Sequence, residues 1–131
     1  SENLADWGGH KPLIMPSPGI FDSAKTGASC VPIKTEAGWL EIYHGSGEND
    51  KYSLAAALLD LNDPSKIIAR SKVPLMQPET DYETKGFYGN VVFSCGAITR
   101  EDGTVTIYYG ASDELTAAAT TTIDKIMSTM K

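Results

Sequence analysis

SCVPIKTEAGWLEIYHG, Ser29 to Gly45, decides the fold once it is laid over SCGAITREDGTVTIYYG, Ser94 to Gly110. The offset is 65 positions. Cys30 meets Cys95, Ile33 meets Ile98, Glu36 meets Glu101 and Gly38 meets Gly103. Ile42 meets Ile107, Tyr43 meets Tyr108 and Gly45 meets Gly110, and beyond the run Glu48 meets the shorter acid Asp113. Matching glycines and aromatics at one fixed offset mark an internal structural repeat.

Each copy reads as a hairpin. Val31–Lys34 and Trp39–His44 are short runs rich in β-branched and aromatic residues, separated by the Gly-containing loop Thr35–Gly38. Val91–Ile98 and Thr104–Tyr109 repeat the design around Arg100–Gly103. An Ala-rich third segment follows each hairpin, Tyr52–Leu61 and then Leu115–Thr121. A fourth strand, Lys66–Ser71, follows the turn Asn62–Ser65 in the first copy. The second copy has a short C-terminal helix there: Ile123, Ile126, Met127 and Met130 share a helical face, and Thr122 is placed to cap it.

Repeated strands at this spacing are the grammar of β-propeller blades. The reading is all-β, two blades of a propeller, with blade-like repeats at about 8–72 and 73–131. One β-sandwich of seven or eight strands is the alternative, but it does not require matched residues at a fixed offset. Closed propellers have about 4–8 blades, and two alone leave apolar sheet faces in water. The chain is therefore expected to be a piece of a larger protein, completed by missing N-terminal blades or by other copies of itself.

Composition narrows the partners. With 41% hydrophobic and 21% charged residues, the chain packs a core. Its net charge of −6 disfavours a nucleic-acid backbone, whose binding needs clustered Lys and Arg, and also disfavours anionic membranes. No apolar run is long enough for a transmembrane helix, and Ser1–Trp7 does not resemble a signal peptide. A cytoplasmic location is expected, with the periplasm open to a full-length parent. Cys30 and Cys95 are expected to be free buried thiols, because two cysteines do not make a disulfide framework. Two distant histidines without Cys or Asp at ligand spacing give no metal signature.

Few residues invite chemistry on pattern alone. His44 ends its strand on the same face as Leu40 and Ile42, with Trp39, Glu41 and Tyr43 on the other. It is either a hydrogen-bonded histidine at a blade edge or a ligand donor. His10 reads as a surface residue. Lys25 lies among small residues that let a ligand approach the backbone, or it is an exposed loop lysine. The surrounding order is not a nucleotide P-loop. Asp113 follows the second aromatic strand, where a carboxylate suits sugar hydroxyls or simple loop solvation. Asn90 either reads a ligand or orders its own loop. No nucleophile–His–acid order stands out, and 17 acids leave the carboxylate pair of a glycosidase undecided.

The run GWLEIYHG, Gly38–Gly45, resembles the GWLLIYHG motif of glycoside hydrolase family 130. The likeness covers almost the whole chain. Trp7–His10 is similar to the family's WGxH, and Asp22–Ala28 to its xSxKxGAG segment. Tyr52–Leu61 resembles YSxGAALLDL, Tyr82–Phe93 resembles YExxGFxxNVVF, and Tyr108–Asp113 resembles YYGAAD. The resemblance implies a five-bladed β-propeller and, for most members, inverting phosphorolysis of β-mannosides to mannose 1-phosphate. It implies that Lys25, His44 and Tyr52 bind inorganic phosphate, a co-substrate in place of any cofactor. It implies that Asp113 holds hydroxyls of the transferred mannose; Asn90 is a second substrate-binding candidate, on its own reading above. The family's general acid and phosphate-binding Arg belong to an earlier blade, so residues 1–131 hold no catalytic acid and are expected to be inactive alone.

Two features depart from the pattern. The frequent PNVVFPC reads Gly89–Cys95 GNVVFSC, and the loop Ser46–Lys51 is shorter than in many phosphorylases, which leaves the acceptor open. Two other functions compete: a β-mannoside hydrolase of the same family, whose members tend to lack the Lys/His pair, and a non-catalytic sugar-binding module.

Overall fold

A computed structural model describes residues 1–130 of the chain. Strands β1 (Lys25–Ala28), β2 (Ile33–Thr35), β3 (Gly38–Ser46), β4 (Tyr52–Leu59) and β5 (Ile67–Arg70) form the first sheet. Helix α1 (Asp81–Thr84) leads into a second sheet of β6 (Val92–Thr99), β7 (Thr104–Ala111) and β8 (Leu115–Thr122), followed by α2 (Ile123–Ser128). All pairings within the two sheets are antiparallel. β1 and β2 pair with opposite ends of β3, so together they make one interrupted edge strand. The expected fourth strand and the capped C-terminal helix are both present. The Thr122 hydroxyl accepts from the Lys125 N–H at 3.2 Å.

The main core lies between the sheets. Leu40, Ile42, Leu54 and Ala56 of the first pack against Val105, Ile107, Tyr109 and Ala111 of the second. Ile126 of α2 is fully buried in the same cluster. The helix also ties back to the first sheet, where Thr129 Oγ1 lies 2.7 Å from Ser71 Oγ. On the outer face of the first sheet, Tyr43, Ala55, Ala57 and Leu59 form a second cluster, covered in part by Ile14 and Phe21.

The structure corrects the register of the repeat. Thr35 pairs with Gly38 across the two residues Glu36 and Ala37, whereas Arg100 closes on Thr104 across three, Glu101 to Gly103. The expected four-residue loop of the first hairpin is therefore a two-residue turn. The extra turn residue moves the offset from 65 before the turn to 66 after it: Ile33 pairs with Leu40, Ile98 with Thr106. Tyr43 then corresponds to Tyr109, not Tyr108. Each pairs with an alanine, Ala55 or Ala117, and each donates its hydroxyl to a buried acid from the preceding segment. Those bonds are 2.8 Å to Asp22 and 2.7 Å to Glu83. Ser46 and Ser112 likewise correspond, both buried with hydroxyls unpaired among the described residues. A one-residue slip exchanges the two faces of a strand. His44 thus has Gly110 as its counterpart, and the pairing of His44 with Tyr109 at offset 65 does not hold in space.

Two further expectations change. Lys25 does not lie on a loop but begins β1. Cys30 is buried, its Sγ 2.6 Å from Ser94 Oγ, while Cys95 is exposed at a register shift between Ser94 and Gly96.

Glu41 is a buried acid on the outer face of the first sheet, where the second sheet has Ile107. Burial pushes its carboxyl up to about 7, with the Ser29 backbone N–H opposing. The folded chain thus holds a proton that the unfolded chain releases, and stability falls as pH rises from the ordinary value of 4.5 through about 7. Urea midpoints at pH 5 and pH 8 are expected to show this loss, up to about 3 kcal/mol. Glu41→Leu should remove it and be the more stable protein at pH 8. Comparing the two proteins separates this slope from that of His44. Burial lowers the His44 pKa, so its contribution to stability changes with pH in the opposite sense.

Candidate functional site

At one end of the sheet pair an open cleft of roughly 480 Å³ is lined by Lys25, Tyr52, Tyr88, Val91, Phe93 and Asp113. It forms because the connection before β6 is stitched to both sheets. The Tyr52 N–H donates to the Asn90 carbonyl at 3.0 Å. The Ser112 N–H donates to the Val91 carbonyl at 3.1 Å, and the Tyr88 N–H to the Ser112 carbonyl at 3.0 Å. These bonds bring the start of β4 and the β7–β8 turn to one rim.

Lys25 starts β1, paired with Ser46 at the far end of β3. Its Nζ donates to the Tyr52 hydroxyl at 3.0 Å and lies 4.0 Å from Asp50. The hydrogen bond to Tyr52, and then the charge of Asp50, hold the ammonium above its ordinary range, so it is cationic at neutral pH. The cleft therefore presents a point charge beside a phenol, the donor set that suits a tetrahedral oxyanion.

Asp113 lies on the same cleft. It and Ser112 are the central residues of the β7–β8 turn, closed by the Glu114 N–H on the Ala111 carbonyl at 3.1 Å. Both have positive φ, 50° at Ser112 and 54° at Asp113. This is the pattern of a type I′ turn, whose central positions favour Asn and Gly. Aspartate tolerates it at some conformational cost, and backbone strain of this kind gathers at binding sites.

His44 is half-buried and does not line the cleft directly. It stands behind the wall, its ring centroid 4.1 Å from that of Phe93 and 6.2 Å from that of Tyr52. Its Nδ1 lies 3.3 Å from Ser29 Oγ. Burial lowers its pKa, with the Ala28 backbone opposing, so the ring is neutral at neutral pH. Asn90 is exposed, does not line the cleft, and has a left-handed φ of 63°. His10 lies in the exposed N-terminal segment.

The sequence reading overlooked Tyr88 and Phe93. Both fall in the Tyr82–Phe93 stretch that resembles YExxGFxxNVVF. Phe93 had a legible signal: along β6 it alternates with buried Val92 and Ser94, so it faces outward. Tyr88 had none, because it reaches the cleft through an irregular loop, where it stands edge-on to Tyr52 at 6.5 Å.

A cationic lysine, phenols, an exposed aromatic face and a carboxylate around one opening define a site for a small, polar, oxygen-rich ligand. The family model described as beta-1,4-mannooligosaccharide phosphorylase matches residues 1–131, and the chain belongs to glycoside hydrolase family 130. It is 47% identical to a beta-1,2-mannobiose phosphorylase of Listeria innocua over 97% of its own length and 36% of the relative's. It is 46% identical to a 1,2-beta-oligomannan phosphorylase of a Thermoanaerobacter species over 91% of its length and 40% of the relative's. The solved Listeria innocua beta-1,2-mannobiose phosphorylase in complex with beta-1,2-mannobiose superposes with a TM-score of 0.95, at 46% identity, over 99% of this chain and 36% of that one. A structure from work on GH130 glycoside hydrolases that target beta-1,2 mannosidic linkages in Candida mannan superposes at 0.82, with 28% identity, over 95% of this chain and 39% of that one. The chain thus spans little more than a third of the length of these relatives.

Proposed function

We propose that this chain is the C-terminal part of an inverting β-mannoside phosphorylase, which cleaves β-mannosyl linkages with inorganic phosphate to give mannose 1-phosphate. The observation that carries the reading is the pairing of Lys25 Nζ with the Tyr52 hydroxyl at 3.0 Å, in a cleft that Asp113 also lines. Lys25 and Tyr52 grip phosphate, with His44 supporting them from behind Phe93. Asp113 takes hydroxyls of the transferred mannose, and Asn90 shapes the loop beside it. A phosphate oxygen forms the new bond to the anomeric carbon as the bond to the leaving oxygen breaks. The leaving oxygen needs a proton, and the acid that gives it belongs to the part of the enzyme outside this chain. The isolated chain is therefore inactive. Phosphate is the co-substrate and no cofactor enters.

In the same reading, residues 8–72 and 73–131 are two blades of a five-bladed propeller. Support comes from the offset of 66, which makes the front of one sheet pack on the back of the next, an arrangement that neighbouring blades continue. Among the described residues, no helix is long and apolar enough to cross a membrane.

The test is an assay of the full-length protein on a β-mannoside with and without phosphate. Mannose 1-phosphate formed only when phosphate is present is the expected result. Free mannose formed at the same rate without phosphate would establish hydrolysis, the second reading, which the likeness to the mannan-targeting hydrolases favours.

A further inference from the structure

The His44 imidazole is held on several sides. Its cross-strand partner is Gly27, where a β-carbon would lie 2.5 Å from Cε1 and Nε2, so the ring rests against bare backbone. Phe93 of the second sheet packs against the ring with centroids 4.1 Å apart. Ser29 meets the ring edge, Oγ to Nδ1 at 3.3 Å. Ser29 sits in the break between β1 and β2. A neutral imidazole has one N–H, and the hydrogen bond made by one nitrogen decides which nitrogen carries it.

We propose that Ser29 is a positioning residue for His44: its hydroxyl donates to Nδ1, which places the ring proton on Nε2 and fixes the ring that braces Phe93 and Tyr52 at the phosphate end of the cleft. The first half stands on the Ser29–His44 contact alone. The second half rests on the phosphate reading of the cleft. Gly27 and Phe93 keep the ring in the plane where the serine can reach it.

The test uses the full-length protein labelled with ¹⁵N-histidine, the His44 signals being assigned with His44→Gln. The expected spectrum has Nε2 protonated and Nδ1 bare. Ser29→Ala should turn this into a mixture of tautomers and raise the KM for phosphate about five- to tenfold, the worth of one hydrogen bond, with the KM for mannoside unchanged. Ser29→Thr, which keeps the hydroxyl, should restore both. A native His44 protonated on Nδ1, or a Ser29→Ala spectrum identical to the native one, overturns the proposal. A changed tautomer with an unchanged phosphate KM overturns its second half. If Lys25→Ala also leaves the phosphate KM unchanged, the phosphate reading has failed, and the spectrum still judges Ser29.

Discussion

In the full-length protein, Lys25→Ala is expected to lower kcat/KM for phosphate by about 100- to 1000-fold, the usual loss when one preorganised charge stabiliser is removed. The physical reason is that Lys25 is the one cationic side chain among the described residues lining the cleft. Tyr52 donates a hydrogen bond but carries no charge, and the carboxylates of Asp113 and Asp50 repel an anion. The mannoside KM should stay near its native value, because an interaction made with only one substrate shows in that substrate's constant. Lys25→Arg should not rescue the loss. A planar guanidinium needs more room than a compact ammonium, and it reorients the bond that Lys25 makes to Tyr52. The check is initial-rate kinetics with phosphate varied at fixed mannoside. An unchanged phosphate constant would mean that phosphate binds elsewhere.

The second large effect is on stability. Arg70 of β5 donates Nη2 to Asp22 at 2.6 Å, Nε to the Tyr43 hydroxyl at 2.9 Å and Nη1 to the Met15 carbonyl at 2.6 Å. Tyr43 donates in turn to the same Asp22 oxygen at 2.8 Å, and the Asp22 side chain has no exposure at all. This network pins the segment before β1 across the outer face of the first sheet. Arg70→Ala leaves a carboxylate buried with only a phenol for company. The expected cost is about 3–5 kcal/mol, a large part of the roughly 5–15 kcal/mol that holds an ordinary domain together. Urea denaturation followed by circular dichroism reads it. The double variant Asp22→Asn with Arg70→Met should lose less than Arg70→Ala alone, because it removes both charges together. Equal losses would show that the network acts only by packing.

The strands, both hairpins and the capped helix were legible because each rests on local chemistry: β-branched runs, turn glycines, and a threonine before an apolar helical face. So was the face of His44, because side chains alternate along a strand whatever surrounds it. The relation between the two sheets was not legible. One extra residue in the second turn leaves the sequence identity of Gly38 with Gly103 intact while moving Tyr109, not Tyr108, onto the buried face. Sequence matching rewards like letters, whereas packing rewards like faces.

The candidate site divides the same way. The sequence by itself determined the residue types, the repeat and the family, because all three are written in ordered motifs along one chain. Only the tertiary structure decided which of those residues meet. It brought Lys25 and Tyr52, which are 27 positions apart, to 3.0 Å, and it placed Asp113 on the same cleft. It also set His44 behind Phe93. The reason is physical: the contacts that make the cleft join β1, β4, β6 and the β7–β8 turn. Their register depends on backbone hydrogen bonds across the loop before β6, which no local propensity specifies.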